Sequence, residues 1–130
     1  MTIPLVCVGI AFLLVYLPKV PLSIAMAKQP EGYDNENPRA QQAKLTGWGE
    51  RARNAHANAF ESFPAFAAAV LVAHLAHADA KWSANLAIAY CAARAIYPVV
   101  YMANLGTLRS AVWTVGFGAT CALFALPLFA

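Results

Sequence analysis

Glu50-Arg51-Ala52-Arg53-Asn54-Ala55-His56-Ala57-Asn58-Ala59-Phe60-Glu61-Ser62-Phe63-Pro64 continues to Leu75 with His74 as the one polar side chain after Pro64. Within this stretch Arg51, Asn54, Asn58 and Glu61 are spaced three, four and three residues apart. That spacing places all four on one face of a helix, with Arg53 and His56 to the sides. The segment therefore reads as a long helix whose first half is polar on one face and whose second half is apolar. Such a helix starts in water and ends in lipid.

The rest of the chain agrees with a lipid solvent. Of its 130 residues 61% are hydrophobic and 12% are Asp, Glu, Lys or Arg; a soluble domain carries about 25% charge. This balance excludes a disordered tail, a nucleic-acid module and a secreted disulfide scaffold. The net charge of +3 is no clustered basic face, so nucleic acid is not a partner. Residues 28–61 hold five of the nine bases and five of the six acids, which leaves long uncharged stretches on either side. At about 20 apolar residues per crossing, the length suits four membrane helices in a single domain, 1–130.

The reading predicts an all-α integral membrane four-helix bundle with helices at about 2–27, 46–78, 82–102 and 108–129. Lys28 to Leu45, rich in Pro, Gly, Asn and Asp, reads as a polar loop. Pro18 and Pro21 kink the first helix without ending the span, and Lys19 lies where its ammonium snorkels to the headgroups. Ala25-Met26-Ala27 looks like a signal-cleavage site, but no basic residue precedes the apolar run, so the helix reads as retained. Four crossings put both termini on one side. Lys28, Arg39, Lys44 and Arg109 mark the first and third loops as cytoplasmic. Trp48, Trp82 and Trp113 fall near span ends, as interfacial anchors do.

A second stripe, Tyr90, Arg94, Tyr97 and Tyr101, repeats the helical spacing on the third helix, and Arg109-Ser110 opens the fourth. Arginine and glutamate in apolar surroundings cost several kcal/mol unless paired or hydrated. Two readings follow: a structural network, such as Glu61 with Arg94, or an anionic-ligand pocket opening to the cytoplasm. Arg51, Arg94 and Arg109 exceed what one glutamate neutralises, which favours an acidic ligand. Pro64 and Pro98 free the carbonyls of Phe60 and Arg94 and read as kinks. Cys7, Cys91 and Cys121 lie scattered and read as small hydrophobes. His74 and His77 lack a third ligand at their level, so no metal site is expected.

The pattern E-R-x-x-x-A-x-x-N-x-x-E-x-x-P over Glu50–Pro64, with Arg94-Ala95-Ile96-Tyr97-Pro98-Val99-Val100-Tyr101 and Leu108-Arg109-Ser110, resembles the MAPEG family. These are membrane-associated proteins in eicosanoid and glutathione metabolism, and the resemblance spans essentially the whole chain. It implies a homotrimer with glutathione, as co-substrate, held between neighbouring subunits. Arg51, His56, Asn58, Glu61, Arg94, Tyr97 and Tyr101 match ligand-site positions. Arg109 matches the arginine that stabilises the glutathione thiolate, and Ser110 a serine beside it in a prostaglandin-forming member. With Tyr97 and Tyr101, Arg109 would carry catalysis; the others, with Asn54, would bind the thiol. Asn54 is a departure, for the enzymes carry an arginine there, and an amide lacks the fork that recognises a carboxylate. The short length and Ala-rich second helix are similar to bacterial members, which implies an inner membrane.

The function expected from this is a glutathione-dependent transferase or peroxidase acting on lipophilic electrophiles that arrive through the bilayer. The alternative is a non-catalytic lipid-binding or scaffold protein of the same fold. A four-helix multidrug transporter is the weakest reading, since residues 2–27 contain no acid.

Overall fold

A computed structural model describes residues 1–129. Its helices are α1 (Ile3–Tyr16), α2 (Lys19–Ala27), α3 (Pro38–Ala43), α4 (Gly47–Leu75), α5 (Ala80–Met102) and α6 (Gly106–Ala125), the last followed by a 3-10 turn, Leu126–Phe129. The all-α expectation holds, but the first of the four expected rods is divided into α1 and α2, and α3 lies in the loop that follows it.

The first rod is interrupted at Leu17-Pro18. Neither Pro18 nor Pro21 has an N–H to give the carbonyl four residues back. The Leu14 and Leu17 carbonyls accept instead from Leu17 and Val20, each at 3.3 Å. Leu17 and Pro18 keep right-handed helical dihedrals, so Ile3–Ala27 stays one 25-residue span with a tightened turn. Pro64 and Pro98, in contrast, sit inside unbroken helices.

The loop expected over 28–45 contains α3, which opens on Pro38, where a missing N–H costs nothing. Gln41, buried in α3, fastens the loop. Its Nε2 donates to the Gly32 carbonyl at 2.7 Å, and its Oε1 accepts from the Asp34 N–H at 3.0 Å.

Helix α4 ends three residues before the expected Ala78. The Ala78 N–H reaches back to the Ala73 carbonyl at 2.9 Å and the His77 N–H to His74 at 3.2 Å, with His77 at φ 55°. These paired bonds form a Schellman cap. Asn104, at φ 61°, ends α5 the same way, with Leu105 bonded to Val100 and Asn104 to Tyr101. Asp79 accepts from the Trp82 N–H at 2.8 Å and so starts α5 at Ala80, two residues early.

Helices α4 and α5 form the central pair; α1 and α6 each pack against both, and α2 packs on α4. Cys7, Ala11, Phe66, Ala69, Val70, Tyr90, Ala119 and Leu123 fill the main core. Small residues on every rod bring the backbones close, as membrane helices require. Thr2 and Ile3 share a cavity with His77 and Ala78, and Asp79 and Trp82 share another with Leu126 and Phe129. The N-terminus, the α4–α5 turn and the last turn therefore meet at one end of the bundle.

Three rods are long and apolar enough to cross a membrane: Ile3–Ala27, Gly47–Leu75 and Gly106–Phe129, with mean hydropathies of 2.2, 1.3 and 1.7. Helix α5, with 23 residues, matches them in length but carries the tyrosines and Arg94. Tyr90, Arg94 and Tyr97 are buried against its neighbours, while Leu13, Leu71 and Val115 turn outward. The protein is integral to a membrane.

Candidate functional site

Near the α5–α6 turn, opposite the termini, the polar stripes converge. Arg94 is 6% exposed; its Nη1 donates to the Asn58 Oδ1 at 3.0 Å and its guanidinium lies 4.3 Å over the Tyr97 ring. The Asn58 Nδ2 in turn donates to the Glu61 Oε2 at 3.3 Å. The network is thus a relay from arginine through amide to carboxylate. No direct Glu61–Arg94 ion pair forms among the described residues, where the one salt bridge is Arg53–Glu50 at 3.8 Å.

Closer to the turn, the Arg109 guanidinium sits 4.6 Å over the Tyr101 ring, and Tyr97 meets Tyr101 edge-on at 5.7 Å. Two cavities adjoin here, sharing Asn58 and Trp113 as walls. The outer one, about 470 Å³, is bounded by Tyr97, Tyr101, Arg109, Ser110 and Thr114. The deeper one, about 250 Å³, is lined by Glu61, Ser62 and Ala65 of α4, Arg94 of α5, and Phe117 and Thr120 of α6. A cationic, aromatic cavity beside one walled in part by Ala65, Trp113 and Phe117 suits an anionic ligand next to a lipophilic one.

Seven of the ten expected site residues meet there: Asn58, Glu61, Arg94, Tyr97, Tyr101, Arg109 and Ser110. Three do not. The Arg51 Nε donates to the Met102 carbonyl at 3.1 Å and closes the C-terminus of α5. The Asn54 Oδ1 accepts from the Nε and Nη2 of its neighbour Arg53, at 3.3 and 3.2 Å. The His56 Nδ1–H donates to the Val15 carbonyl at 2.8 Å, pinning α4 to α1. His56 and Asn58 are two residues apart and so about 200° apart around the helix. His56 belongs instead to a cavity of about 390 Å³ on the other face, with Lys19, Arg39, Arg53, Gln42 and Phe60.

Ser62, Trp113, Thr114, Phe117 and Thr120 were not foreseen as site residues. A signal existed for α6: Ser110, Trp113, Phe117 and Thr120 repeat the three, four, three spacing seen on α4. Trp113, expected as an interfacial anchor, stacks on Phe117 with ring centroids 5.0 Å apart and walls both cavities.

The profile of the MAPEG family matches residues 3–129. The chain belongs to the MAPEG family. Comparison with curated proteins and with solved structures finds no significant match in either. Membership of MAPEG agrees with the helical membrane bundle, and the family includes glutathione transferases and peroxidases among other members.

Proposed function

We propose that this MAPEG protein is a membrane-embedded glutathione-dependent transferase or peroxidase for lipophilic electrophiles. The observation that carries the reading is Arg109 held over Tyr101 at the mouth of a cavity continuous with the Arg94–Asn58–Glu61 relay. A thiol that titrates near ~8.5 must drop by about two pH units to ionise at neutral pH, which requires about 2.7 kcal/mol of preference for the anion. A guanidinium fixed on a ring beside the sulfur supplies an energy of this order. The thiolate then attacks an electrophile seated in the deeper cavity. The chain contributes positioning and anion stabilisation.

The second cationic cavity, with Lys19, Arg39, Arg53 and His56, supports a homotrimer. Two anion-receptive faces on opposite sides of α4 would meet between neighbouring copies and complete each thiol site. The excess of Lys and Arg in the first loop supports placing that loop, and the α5–α6 turn with Arg109, in the cytoplasm, with an inner membrane as host.

The direct test is conjugation of glutathione to an activated aryl halide by purified protein. Wild type should show a rate that Arg109→Ala loses; equal rates in the two would end the catalytic reading. One observation favours a non-catalytic lipid-binding or scaffold role instead: Asn54 supplies no cation and is occupied by Arg53. Calorimetric titration separates these readings, because a scaffold would show no glutathione heat up to millimolar ligand.

A further inference from the structure

The hydroxyl groups around the deeper cavity are not equivalent. Thr120 donates to the Gly116 carbonyl of its own helix at 3.0 Å, and Thr114, beside the outer cavity, to that of Ser110 at 2.8 Å. Both are consumed by backbone. The Ser62 Oγ instead meets the Tyr90 hydroxyl at 2.8 Å. Tyr90 cannot move to another partner: it is 1% exposed, and its ring stacks on Phe66 with centroids 3.7 Å apart and planes 2° apart. A phenol is a stronger donor and a weaker acceptor than an alkyl hydroxyl. Tyr90 therefore donates to Ser62, and the Ser62 proton is left to point into the cavity it lines.

We propose that Ser62, held by Tyr90, is the specificity-determining donor of the deeper cavity, and that it selects compact aromatic electrophiles with an acceptor oxygen opposite the reacting carbon. The size follows from the cavity. An apolar space of about 150 Å³ holds benzene, so about 250 Å³ holds one substituted ring. The geometry follows from the helix. Asn58, at the junction with the outer cavity, precedes Ser62 by four residues, about 6 Å along the axis. An oxygen on Ser62 thus places a carbon about 6 Å away at the junction, the span across a para-substituted ring and longer than an ortho-substituted one. Ala65 and Phe117 wall that ring, and Trp113 stands at the junction.

The kinetic test rests on the glutathione-dependent reading; the binding test does not. For turnover, para- and ortho-nitrobenzyl chloride have closely similar size and hydrophobicity, and their uncatalysed rates with glutathione normalise for reactivity. Wild type should prefer the para isomer in kcat/KM by about three- to tenfold, the range one neutral hydrogen bond supports. Ser62→Ala should bring the para-to-ortho ratio in kcat/KM to about one, and Ser62→Thr should keep the wild-type ratio. Tyr90→Phe should reduce that ratio, because Ser62 loses its anchor. An unchanged isomer ratio in Ser62→Ala, or an equal fall for both isomers, overturns the proposal.

For binding, a Trp48→Phe, Trp82→Phe background leaves Trp113, on the cavity wall, as the sole tryptophan, read by selective excitation at its red edge. Titration with para-methylacetophenone should weaken about three- to tenfold in Ser62→Ala, while para-ethyltoluene, which lacks the oxygen, should bind alike in both. Equal responses to the ketone in the two proteins refute the assignment. Ketone selectivity without glutathione turnover would refute the transferase reading and leave the Ser62 donor standing.

Discussion

The Arg94 guanidinium reaches the Asn58 side chain at 3.0 Å and not the Glu61 carboxylate, so a neutral amide separates the charges of the site. Asn58 satisfies both partners at once, giving Arg94 an acceptor and Glu61 a donor. A direct ion pair would neutralise the guanidinium; the relay orients it and leaves its remaining N–H groups for an anion. Removing one partner of a buried charged group leaves the other uncompensated, at about 1.5–3 kcal/mol for a bond to a charge. Asn58→Ala should therefore lower the thermal midpoint in detergent and weaken glutathione binding together. Calorimetry of both quantities checks this, and loss of one without the other would contradict the relay.

The Arg109 guanidinium makes no hydrogen bond to the protein among the described residues and rests on the Tyr101 ring. Its removal should leave the fold intact and strike the chemistry. Arg109→Ala should lower the conjugation rate by about 100-fold, the usual effect of deleting one donor to a developing anion. Arg109→Lys should recover part of it, because a lysine keeps the charge and loses the planar fork. The ultraviolet absorbance of bound thiolate should vanish in Arg109→Ala, with an unchanged melting curve.

A third outcome concerns packing where α2 meets α4. A Cβ added at Gly49 would lie 2.9 Å from the Ala25 Cβ, a distance no relaxed contact shows. Gly49→Ala gains helix propensity of about 1 kcal/mol, but forces apart two backbones that carry Ala25, Met26 and Leu45 in a buried cluster. Overpacking costs about 1–3 kcal/mol, so the net effect should be a lower unfolding midpoint in detergent. Gly116→Ala is the control. There an added Cβ would meet Ala93, Arg94 and Tyr90 at an ordinary 3.8 Å, and the midpoint should hold or rise.

Hydropathy and 3.6-residue spacing made the four rods and their stripes legible, because burial in lipid and in the bundle both act through periodicity. They did not reveal which way the bundle divides a stripe. Arg51, Asn54, Asn58 and Glu61 share a face on a helical wheel. Yet Arg51 lies beside the end of α5 and is used by the Met102 carbonyl, while Asn54 is used by Arg53. Neighbouring backbone decides that, and local sequence is silent on it. The end of α4 was missed for a similar reason: its left-handed cap residue is His77, where glycine or asparagine would have announced the turn. Asn104, the matching cap of α5, is of a residue type that does announce such a turn. On α6 the pattern Ser110, Trp113, Phe117, Thr120 was present but mixed polar and aromatic types, so hydropathy alone could not raise it above a lipid-facing helix.

Asn54 offers the sharpest test of how far this site follows the enzymes of its family. Its side-chain oxygen accepts two bonds from Arg53, whose Nη1 also donates to the Gln42 carbonyl at 3.1 Å. The guanidinium that could have substituted for the missing arginine is thus held toward α3 and the His56 cavity. Asn54→Arg would place a free fork on the face of Asn58, one helical turn away. It would also release Arg53 and set two cations side by side, which costs little where both reach water. A bond to a charged donor exceeds one to a neutral donor by about 1 kcal/mol, about fivefold in affinity. Glutathione should therefore bind Asn54→Arg about fivefold more tightly than wild type. Asn54→Ala, which frees Arg53 without adding a fork, should leave affinity unchanged. A gain in Asn54→Ala equal to that in Asn54→Arg would show instead that the released Arg53 reaches the thiol site.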